Sequence, residues 1–436
     1  MVLTSYYHNK PNSIIIFALL AVITPSLSSI FFGVLPFFAY ICTLYLHTLH
    51  DMQFFNQIID SYTWPGIALL VVIIILFGVQ AYYYGVAYRR IHRFRLVSRK
   101  QKWCENPYIS VIVAVRGEDE RFLTEQLPTL LAQDYGVYEI VVVYIGRDVD
   151  YYAELQRIRD ERSNMRLTKL SGNGRIYITT KQAYNVGIKS AQYDCFLFTT
   201  PSTIPATTEW VTYMAHAFER GTVVSGAASP HFEEQTLSTY LMRMTEFHYS
   251  RNNMAMSVSD RIYVAPRSNF GFTRNIYEKT RGFNHLNMDI GENDLYIQAI
   301  TSPKRSAVML SPKALVYEER PSTWSEWLEV VRYTRSTAPY YPTSIKTYGR
   351  WEAGSRMLFF VATLAALILL PLELKIFALV VAILRYILVL VSTRKTAAKF
   401  GEYGIALKYW IYDLTGPIIE YIIGLKHSNN SPKAWI

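Results

Sequence analysis

The sequence predicts an α/β domain with a mostly parallel sheet, carried by membrane helices on its N-terminal and C-terminal sides. Apolar, β-branched runs alternate with helix-like segments in the middle of the chain, which is typical of a parallel sheet covered by helices. Long apolar runs stand before and after that region. A hydrophobic content of 51% in 436 residues suits one sizeable domain plus membrane segments.

Composition divides the chain into four parts. We interpret residues 1–62 as an N-terminal membrane segment, either one kinked span or a hairpin, because its apolar stretch is broken by two prolines. Residues 63–102 read as a transmembrane helix with a basic juxtamembrane linker, and residues 103–345 as the α/β domain. Residues 346–436 are expected to form a membrane hairpin followed by an interfacial helix.

The run at 66–81, extended by the tyrosines behind it, has about the 20 residues that a helix needs to cross a bilayer. It is followed by the densest basic cluster of the chain, which contains Arg89, Arg90, Arg93, Arg95, Arg99, Lys100 and Lys102. Basic residues directly after a span indicate the cytoplasmic side, and an anionic leaflet accounts for the cluster. We therefore expect the lipid bilayer, and not nucleic acid, as the partner of this positive charge.

Two further apolar runs, at 357–370 and 376–391, are each short for a full crossing. Basic residues flank the pair on both outer sides, so both ends are expected on the cytoplasmic side. Arg385 lies inside the second run and is either functional or packed against protein. Residues 400–425 mix aromatic and apolar side chains with charged ones, which favours a helix in the membrane interface.

The three cysteines are Cys42, Cys104 and Cys195. They have no metal-ligand spacing, and their odd number predicts no disulfide framework. Cys195 falls in an apolar strand, where a buried and inert thiol is expected. The cysteines therefore add no candidate site.

Within the α/β domain, continuous apolar runs predict buried strands at 109–115, 138–144 and 195–198. Helical patterns fill the intervals between them. Parallel sheets bind ligands at the carboxyl ends of their strands. The residues that follow these three strands are therefore the candidate site.

Eight short segments, in this order, resemble those of family 2 glycosyltransferases, which have the GT-A fold and use nucleotide-sugar donors. The segments are 110–119 (SVIVAVRGED), 131–135 (LAQDY), 138–143 (YEIVVV), 181–188 (KQAYNVGI), 194–198 (DCFLF), 270–277 (FGFTRNIY), 281–285 (RGFNH) and 291–295 (GENDL). The resemblance covers slightly more than half of the chain and implies a GT-A-like, Rossmann-like domain at 103–345. The flanking spans look like the membrane-anchored branch that builds bacterial envelope polysaccharides, which implies the inner (cytoplasmic) membrane with the main domain in the cytoplasm.

The resemblance implies a divalent cation, Mg²⁺ or Mn²⁺, held by an Asp-x-Asp motif after the third strand. In this chain the aligned residues are Thr200, Pro201 and Ser202. Their hydroxyls bring no charge, so a cation would be held mainly by the diphosphate and water. Thr200 and Ser202 are named as the metal positions by alignment alone, and the sequence gives no certain cofactor.

The resemblance also implies a nucleotide site at the ends of the first two strands. The second strand lacks the family's aspartate, and Tyr144 is the candidate there for stacking on a base. Arg116 and Glu118 follow the first strand, where the base and ribose would lie. Lys181 and Asn185 stand on the helix that faces the nucleotide in the family.

The family's catalytic base is the aspartate of a Gly-Glu-Asp or Gly-Asp-Asp triplet. In the segment 291–294 of this chain the aligned residue is Asn293, whose amide cannot accept a proton at neutral pH. Glu292 and Asp294 flank it, so a register shift of one residue would restore a carboxylate. These three residues are the candidate catalytic positions.

A further motif of the family, Gln-x-x-Arg-Trp, lies on a helix near the membrane and binds the diphosphate. The arginines of the corresponding segment, Arg332 and Arg335, each lie one position away from the aligned place. One position on a helix is a rotation of about 100°. Either arginine is a candidate phosphate contact, but the usual geometry is absent.

These replacements favour a degenerate centre. The leading hypothesis is a pseudoenzyme that acts as a non-catalytic partner or scaffold in bacterial cell-envelope glycan assembly. The alternative is an active inverting glycosyltransferase that uses Glu292 or Asp294 as base and moves a sugar to a lipid-linked or glycan acceptor. The expected partners are the bilayer, a lipid-linked acceptor and a membrane protein.

Overall fold

The structure is a computed structural model, and it describes residues 64–96, 104–171, 177–259, 261–283 and 288–424. The predicted N-terminal segment 1–62 and the second half of the basic linker lie outside these ranges. The strands are β1 (Ile109–Arg116), β2 (Tyr138–Ile145), β3 (Met165–Leu170), β4 (Cys195–Thr199), β5 (Thr203–Pro205), β6 (Val223–Ser225), β7 (Ala228–His231), β8 (Phe270–Thr273), β9 (Ser306–Val308) and β10 (Val316–Glu319).

The central sheet has seven strands in the order β3-β2-β1-β4-β8-β6-β9. β1 runs parallel to β2 and β4, β2 runs parallel to β3, and β6 runs parallel to β9. β8 is antiparallel to both of its neighbours. A second sheet of three strands has the order β5-β10-β7. The predicted α/β class with a mostly parallel sheet is confirmed.

The helices lie around these sheets and extend away from them. They are α1 (Trp64–Arg93), α2 (Leu127–Leu131), α3 (Val149–Glu161), α4 (Thr180–Ser190), α5 (Trp210–Phe218), α6 (Leu237–Ser257), α7 (Arg274–Lys279), α8 (Leu295–Ile300), α9 (Trp324–Thr334), α10 (Thr343–Leu369), α11 (Leu372–Ala397) and α12 (Tyr409–Gly424). A 3-10 turn extends α11 to Phe400.

Helix α4 is fixed against the sheet by its local sequence. It begins with a capping box, in which Thr179 accepts from the backbone of Gln182 and the Gln182 side chain accepts from the backbone of Thr179. Near its other end, a Cβ atom at Gly187 would lie only 2.6 Å from Cγ2 of Ile112. The missing side chain therefore lets α4 approach β1 closely, and the helix starts at the carboxyl edge of the sheet.

Among the residues that the structure describes, three helices are long and apolar enough to cross a membrane: Trp64–Arg93, Thr343–Leu369 and Leu372–Phe400. They pack on one another through buried apolar side chains that include Ile73, Phe359 and Val381. The last two helices extend well beyond the apolar runs predicted at 357–370 and 376–391. Those predicted lengths were too short, because the polar ends of both helices bury part of their side chains against the rest of the protein, among them Glu352, Arg356 and Thr393, and need no apolar sequence to be helical.

Buried polar contacts join these helices to the α/β domain and to α12. Arg385 on α11 donates to both carboxylate oxygens of Asp413 on α12, at 2.5 and 3.0 Å, and to Oε1 of Gln80 on α1 at 2.8 Å. On the domain side, Nε2 of His248 in α6 lies 2.9 Å from Oε2 of Glu352 in α10. Arg385, left open by the sequence as functional or structural, is thus packed against protein and paired.

Helix α12 has one buried and one exposed face. Tyr409, Tyr412 and Asp413 are buried against the rest of the protein. The exposed face is apolar and carries Trp410, Leu414, Ile418 and Tyr421 at a helical spacing. Such a face is typical of a helix that lies in a membrane interface, so the interfacial position of this segment stays our prediction.

Candidate functional site

A cavity of about 530 Å³ opens at the carboxyl ends of β1 and β4, the edge where parallel sheets bind ligands. Helices α6 and α9 form its far wall, and Phe400, directly after α11, also lines it. The lining side chains that matter most are Thr200, Ser202, Glu246, Tyr249, Arg267, Asn293, Glu318, Arg320, Tyr333 and Arg335. The cavity therefore connects the sheet edge with the helices that carry the apolar segments.

The turn after β4 brings hydroxyl groups to the cavity. Oγ1 of Thr200 lies 2.6 Å from Oγ1 of the buried Thr203 and 3.4 Å from Oγ of Ser202. Hard divalent cations need several oxygen ligands and bind carboxylates best. Within the described ranges, no three His, Cys, Asp or Glu side chains converge where they could hold a metal. The residues of this turn therefore do not fit a protein-held Mg²⁺ or Mn²⁺.

The nearest acid to this turn belongs to the neighbouring strand. Glu318 on β10 stands opposite Thr203 in the sheet, and it contacts Arg320 and the hydroxyl of Ser268. Burial alone would raise the pKa of Glu318, but Arg320 and the hydrogen bond from Ser268 outweigh it and hold the pKa below its usual value. Glu318 is thus a carboxylate already engaged by an arginine.

Arg320 also holds the second acid of this wall. Its Nε lies 2.9 Å from Oε2 of Glu246, and Trp327 donates from Nε1 to Oε1 of the same carboxylate at 2.7 Å. One guanidinium therefore bridges Glu246 and Glu318. Sequence reasoning missed this group because Glu246 and Arg320 are 74 residues apart and belong to no short motif.

The segment 291–294 directs an amide, not a carboxylate, to the cavity. Asn293 lines the cavity, and its Nδ2 donates to the carbonyl of Ala265 at 2.6 Å. Glu292 is fully buried; its Oε1 accepts from Nε of Arg267 at 2.9 Å and lies 2.8 Å from Nη2 of the same guanidinium. Oε2 of Glu292 has no hydrogen-bond partner among the described residues.

Asp294 is a helix cap. Its carboxylate accepts from the backbone N–H of Leu295 at 2.5 Å, from the Tyr341 hydroxyl at 2.6 Å and from the Thr337 hydroxyl. Burial raises the pKa of Asp294, and the hydrogen bonds from Thr337 and Tyr341 partly oppose that rise. These contacts use both carboxylate oxygens to start α8, and Asp294 does not line the cavity.

The predicted nucleotide-binding residues differ in whether their side chains are available to a ligand. Tyr144 is fully buried, with its ring 5.4 and 5.8 Å from the rings of Tyr151 and Tyr152, so it is not available to stack on a base. Asn185 accepts a 2.5 Å hydrogen bond from the hydroxyl of Tyr277. Helix α3 covers Tyr144 through Tyr151 and Tyr152, a contact between residues of β2 and α3 that the end of the strand alone does not reveal.

The remaining residues of that group differ in exposure. Arg116 is exposed, donates to the carbonyl of Ile178 at 2.5 Å and lies over the ring of Tyr177. Glu118 is exposed in the loop after β1. Lys181 is buried, and burial lowers its pKa while the carboxylates of Glu292 and Asp294 oppose that change. Lys181 therefore interacts electrostatically with the carboxylates of the segment 291–294, and it does not line the cavity.

Of Arg332 on α9 and Arg335 directly after it, one reaches the cavity. Arg335 lines it, with its guanidinium 3.9 Å from the centre of the Tyr249 ring. Nη1 of Arg335 also lies 3.0 Å from Oε2 of Glu420 on α12. Arg332 donates to the carbonyl of Ile422 on α12 at 2.8 Å and is turned away from the cavity. Helix α12 thus holds both arginines.

This arrangement can bind a polar ligand with a planar ring and negative charge. The cavity has an arginine stacked on a tyrosine, a second tyrosine at 333 and a row of hydroxyls. Its deep acids are paired with Arg267 and Arg320. An aromatic and cationic wall of this kind suits a phosphorylated ligand. Glu326 and Glu329, both exposed on α9, are further acids that line the cavity.

Comparison with known proteins gives structural similarities alone. No protein-family model matches the chain, and no curated protein matches it. The structure is similar to the mannosyltransferase PcManGT from Pyrobaculum calidifontis in complex with GDP-Man and Mn²⁺, with a TM-score of 0.47 and 17% identity over 79% of this chain and 99% of that chain. It is also similar to S. aureus TarS in complex with UDP-GlcNAc, with a TM-score of 0.38 and 16% identity over 74% of this chain and 94% of that chain. At these scores, the function has to be argued from the residues of the cavity.

Proposed function

We propose that this protein is a membrane-anchored, family 2 glycosyltransferase-like protein that has lost the chemistry of sugar transfer. It would serve as a non-catalytic partner or scaffold in the assembly of cell-envelope glycans. One observation carries the proposal: in the segment 291–294 the side chain at the cavity is Asn293, while Glu292 is held by Arg267 and Asp294 caps α8.

Sugar transfer needs a base for the acceptor hydroxyl and neutralisation of the leaving diphosphate. A positioned base contributes about 10²- to 10⁴-fold to the rate, and the amide of Asn293 supplies none. Neutralisation usually comes from a carboxylate-held cation, but the turn at Thr200 and Ser202 offers two neutral hydroxyls. Both losses act on the same step, which supports loss of transfer.

The cavity itself supports a retained binding function. Its volume of about 530 Å³ lies in the range of pockets that bury small ligands. Arg335 over Tyr249 offers a cation and a ring face next to one another. The cavity runs from the sheet edge to Phe400, beside the last apolar helix. We therefore favour a nucleotide-linked sugar or a lipid-linked glycan as the ligand that a partner would share.

The three long apolar helices support attachment to a membrane. Exposed basic residues stand at the domain-side ends of two of them, at Arg90, Arg93, Arg394 and Lys395. By the positive-inside bias, these residues favour the cytoplasmic side for the α/β domain. In a bacterium this corresponds to the inner membrane, with the main domain in the cytoplasm.

A second function is favoured by one specific observation. Oε2 of Glu292 has no partner among the described residues, and Lys181 lies in the field of that carboxylate. If Arg267 released Glu292, the carboxylate could serve as a base in an active inverting transferase. In that case Glu292→Gln abolishes turnover while the fold and the binding of donor survive.

The experiment that separates these functions uses the full chain in detergent or nanodiscs, with UDP-GlcNAc and GDP-mannose as probes. Release of UDP or GDP is followed with and without Mn²⁺, and co-purifying membrane proteins are identified in parallel. We expect no release of UDP or GDP above the rate in buffer, and we expect a membrane protein that co-purifies stably. Donor turnover that disappears in Glu292→Gln, but persists in the cavity-remote control Glu161→Gln, would establish the active transferase instead.

A further inference from the structure

Two cysteines that are 91 positions apart in sequence meet at the amino ends of β1 and β4. Sγ of Cys104 lies 3.9 Å from Sγ of Cys195. Cys195 is the first residue of β4, paired in register with Ile109 at the start of β1, and Cys104 lies just before that strand. Both residues are free thiols in the structure. The sequence, which shows only an odd number of cysteines, gives no sign of this contact.

We propose that Cys104 and Cys195 form a reversible redox site, which a small-molecule disulfide converts into an intramolecular disulfide bond. Bond formation requires the sulfur atoms to approach from 3.9 Å to about 2 Å. Cys104 precedes β1 and is itself in no strand, so its approach to Cys195 does not require a change in the pairing of β1 with β4.

The two thiols differ in exposure in the way that such a reaction requires. Cys104 is partly exposed, so an oxidant can reach it, whereas Cys195 is buried in the apolar core and contacts Cys104. The S–H of Cys195 points to Cys104 and lowers the pKa of Cys104 to about 7, although burial and the carboxylates of Asp194 and Glu219 oppose that change. Cys104 is therefore the attacking thiolate.

The disulfide bond forms in two steps of thiol–disulfide exchange. The Cys104 thiolate attacks one sulfur of the small-molecule disulfide, forming a mixed disulfide and releasing one thiolate. Cys195 then loses its proton and attacks Sγ of Cys104, forming the Cys104–Cys195 bond and releasing the second small-molecule thiolate. Two cysteine thiols are oxidised, and one small-molecule disulfide is reduced to two thiols.

The new bond would tie the start of the α/β domain to its central strand. Cys104 is the first described residue after the segment that links α1 to the domain, and the bond would close a loop that contains β1, β2, β3 and α4. Closing a long loop stabilises a fold mainly by restricting its unfolded chain. The oxidised protein should therefore melt at a higher temperature than the reduced protein. The site lies at the strand ends opposite to the cavity and does not depend on the proposed function.

The test uses the purified full chain, fully reduced and then incubated with glutathione disulfide. Free thiols are counted after denaturation, and peptides are analysed by mass spectrometry without reduction. We expect loss of two of the three thiols, a linked peptide pair containing Cys104 and Cys195, and full reversal by dithiothreitol. The oxidised form should show a raised melting temperature that Cys104→Ser lacks.

Cys42→Ser is the matched control, because it removes a cysteine outside the pair and should leave the reaction intact. Cys104→Ser alters a partly exposed position and keeps the test valid even if Cys195→Ser fails to fold. Three free thiols after oxidation would overturn the proposal. A stable glutathione adduct on Cys104 with no bond to Cys195, in cooperatively melting protein, would overturn it equally.

Discussion

Arg267 holds Glu292 with two nitrogens on one carboxylate oxygen, at 2.9 and 2.8 Å. Glu292 is fully buried, while the side chain of Arg267 remains about one-fifth exposed at the cavity wall. The pair thus removes a carboxylate from the segment 291–294 and leaves Asn293 as its side chain at the cavity. The cavity therefore keeps its volume, while the carboxylate of Glu292 is engaged by Arg267.

Arg267→Ala should destabilise the protein, because it leaves the Glu292 carboxylate buried without its cation. Breaking a buried ion pair costs about 3 to 5 kcal/mol, and the partial exposure of Arg267 places the expected cost near the lower value. The thermal unfolding midpoint in detergent measures it. Adding Glu292→Gln to Arg267→Ala should recover part of the loss, and a double variant as unstable as the single one would show that the charge is not the cause.

The turn after β4 should gain metal-dependent binding when its hydroxyls become carboxylates. We expect Thr200→Asp with Ser202→Asp to bind UDP or GDP at least about tenfold more tightly in the presence of Mn²⁺, because carboxylates are the oxygen ligands that this cation prefers. The unsubstituted protein should show no such gain. Isothermal titration calorimetry measures both.

The matched control for that variant adds the same charge elsewhere. Thr124→Asp with Ser163→Asp alters two exposed positions outside the cavity, and it should respond to Mn²⁺ like the unsubstituted protein. Equal Mn²⁺ dependence in all three proteins would mean that the cation is held by other groups.

Glu420 should compete with anionic ligands for Arg335. The carboxylate lies 3.0 Å from Nη1 of Arg335, which lines the cavity. Glu420→Gln should therefore raise the affinity for pyrophosphate by roughly 3- to 10-fold, equivalent to about 1 kcal/mol. Arg332→Gln, which alters the nearby arginine on α9 that does not line the cavity, should leave the affinity unchanged. If Glu420→Gln has no effect, Arg335 is not a ligand contact.

The pair Arg385–Asp413 should couple α11 to α12 through charge. Both side chains are about 98% buried, at a relative exposure of 2% each. Arg385→Met alone should lower stability by about 3 to 5 kcal/mol, because Asp413 is left buried and unpaired. Arg385→Met with Asp413→Leu should be far less destabilising, as measured by the unfolding midpoint in detergent. An additive loss would contradict this coupling.

Alkylation of Cys104 should depend on pH in a way that follows its lowered pKa. The thiolate is the nucleophile, and the S–H of Cys195 holds the pKa of Cys104 at about 7. The initial rate of alkylation by iodoacetamide should therefore reach half its maximum near pH 7. At lower pH the rate should fall, because the thiolate becomes protonated. The acids that face this thiol, Asp194 and Glu219, oppose the shift. In Cys195→Ser, whose hydroxyl is a different donor, the midpoint should move; an unchanged midpoint near the ordinary cysteine value in both proteins would contradict the contact.

The strands of the sheet could be predicted from local sequence because buried parallel strands are continuous apolar runs. Runs at 109–115, 138–144 and 195–198 correspond to β1, β2 and β4 within one residue at each end. β3 was not predicted, because Met165–Leu170 is not a continuous apolar run and only its first residue is buried. The length of α10 was underestimated because its polar first half is helical through contacts with α6 and α12.

The site could be located from the sequence but not assembled. The segment 291–294 was identified, yet its outcome depends on Arg267, Thr337 and Tyr341, which are 25 to 47 residues away. Tertiary contacts of this kind leave no local pattern. The bridge from Arg320 to Glu246 and the contact between Cys104 and Cys195 were missed for the same reason.

We propose that the cavity lacks the groups for metal-assisted sugar transfer. Isothermal titration of the detergent-purified full chain with UDP and GDP, with and without Mn²⁺, tests it most directly. We predict that Mn²⁺ changes neither the affinity nor the heat of binding of either nucleotide, in protein that melts cooperatively. Micromolar binding that requires Mn²⁺ would contradict the claim and would make this protein an active transferase working through substitute residues.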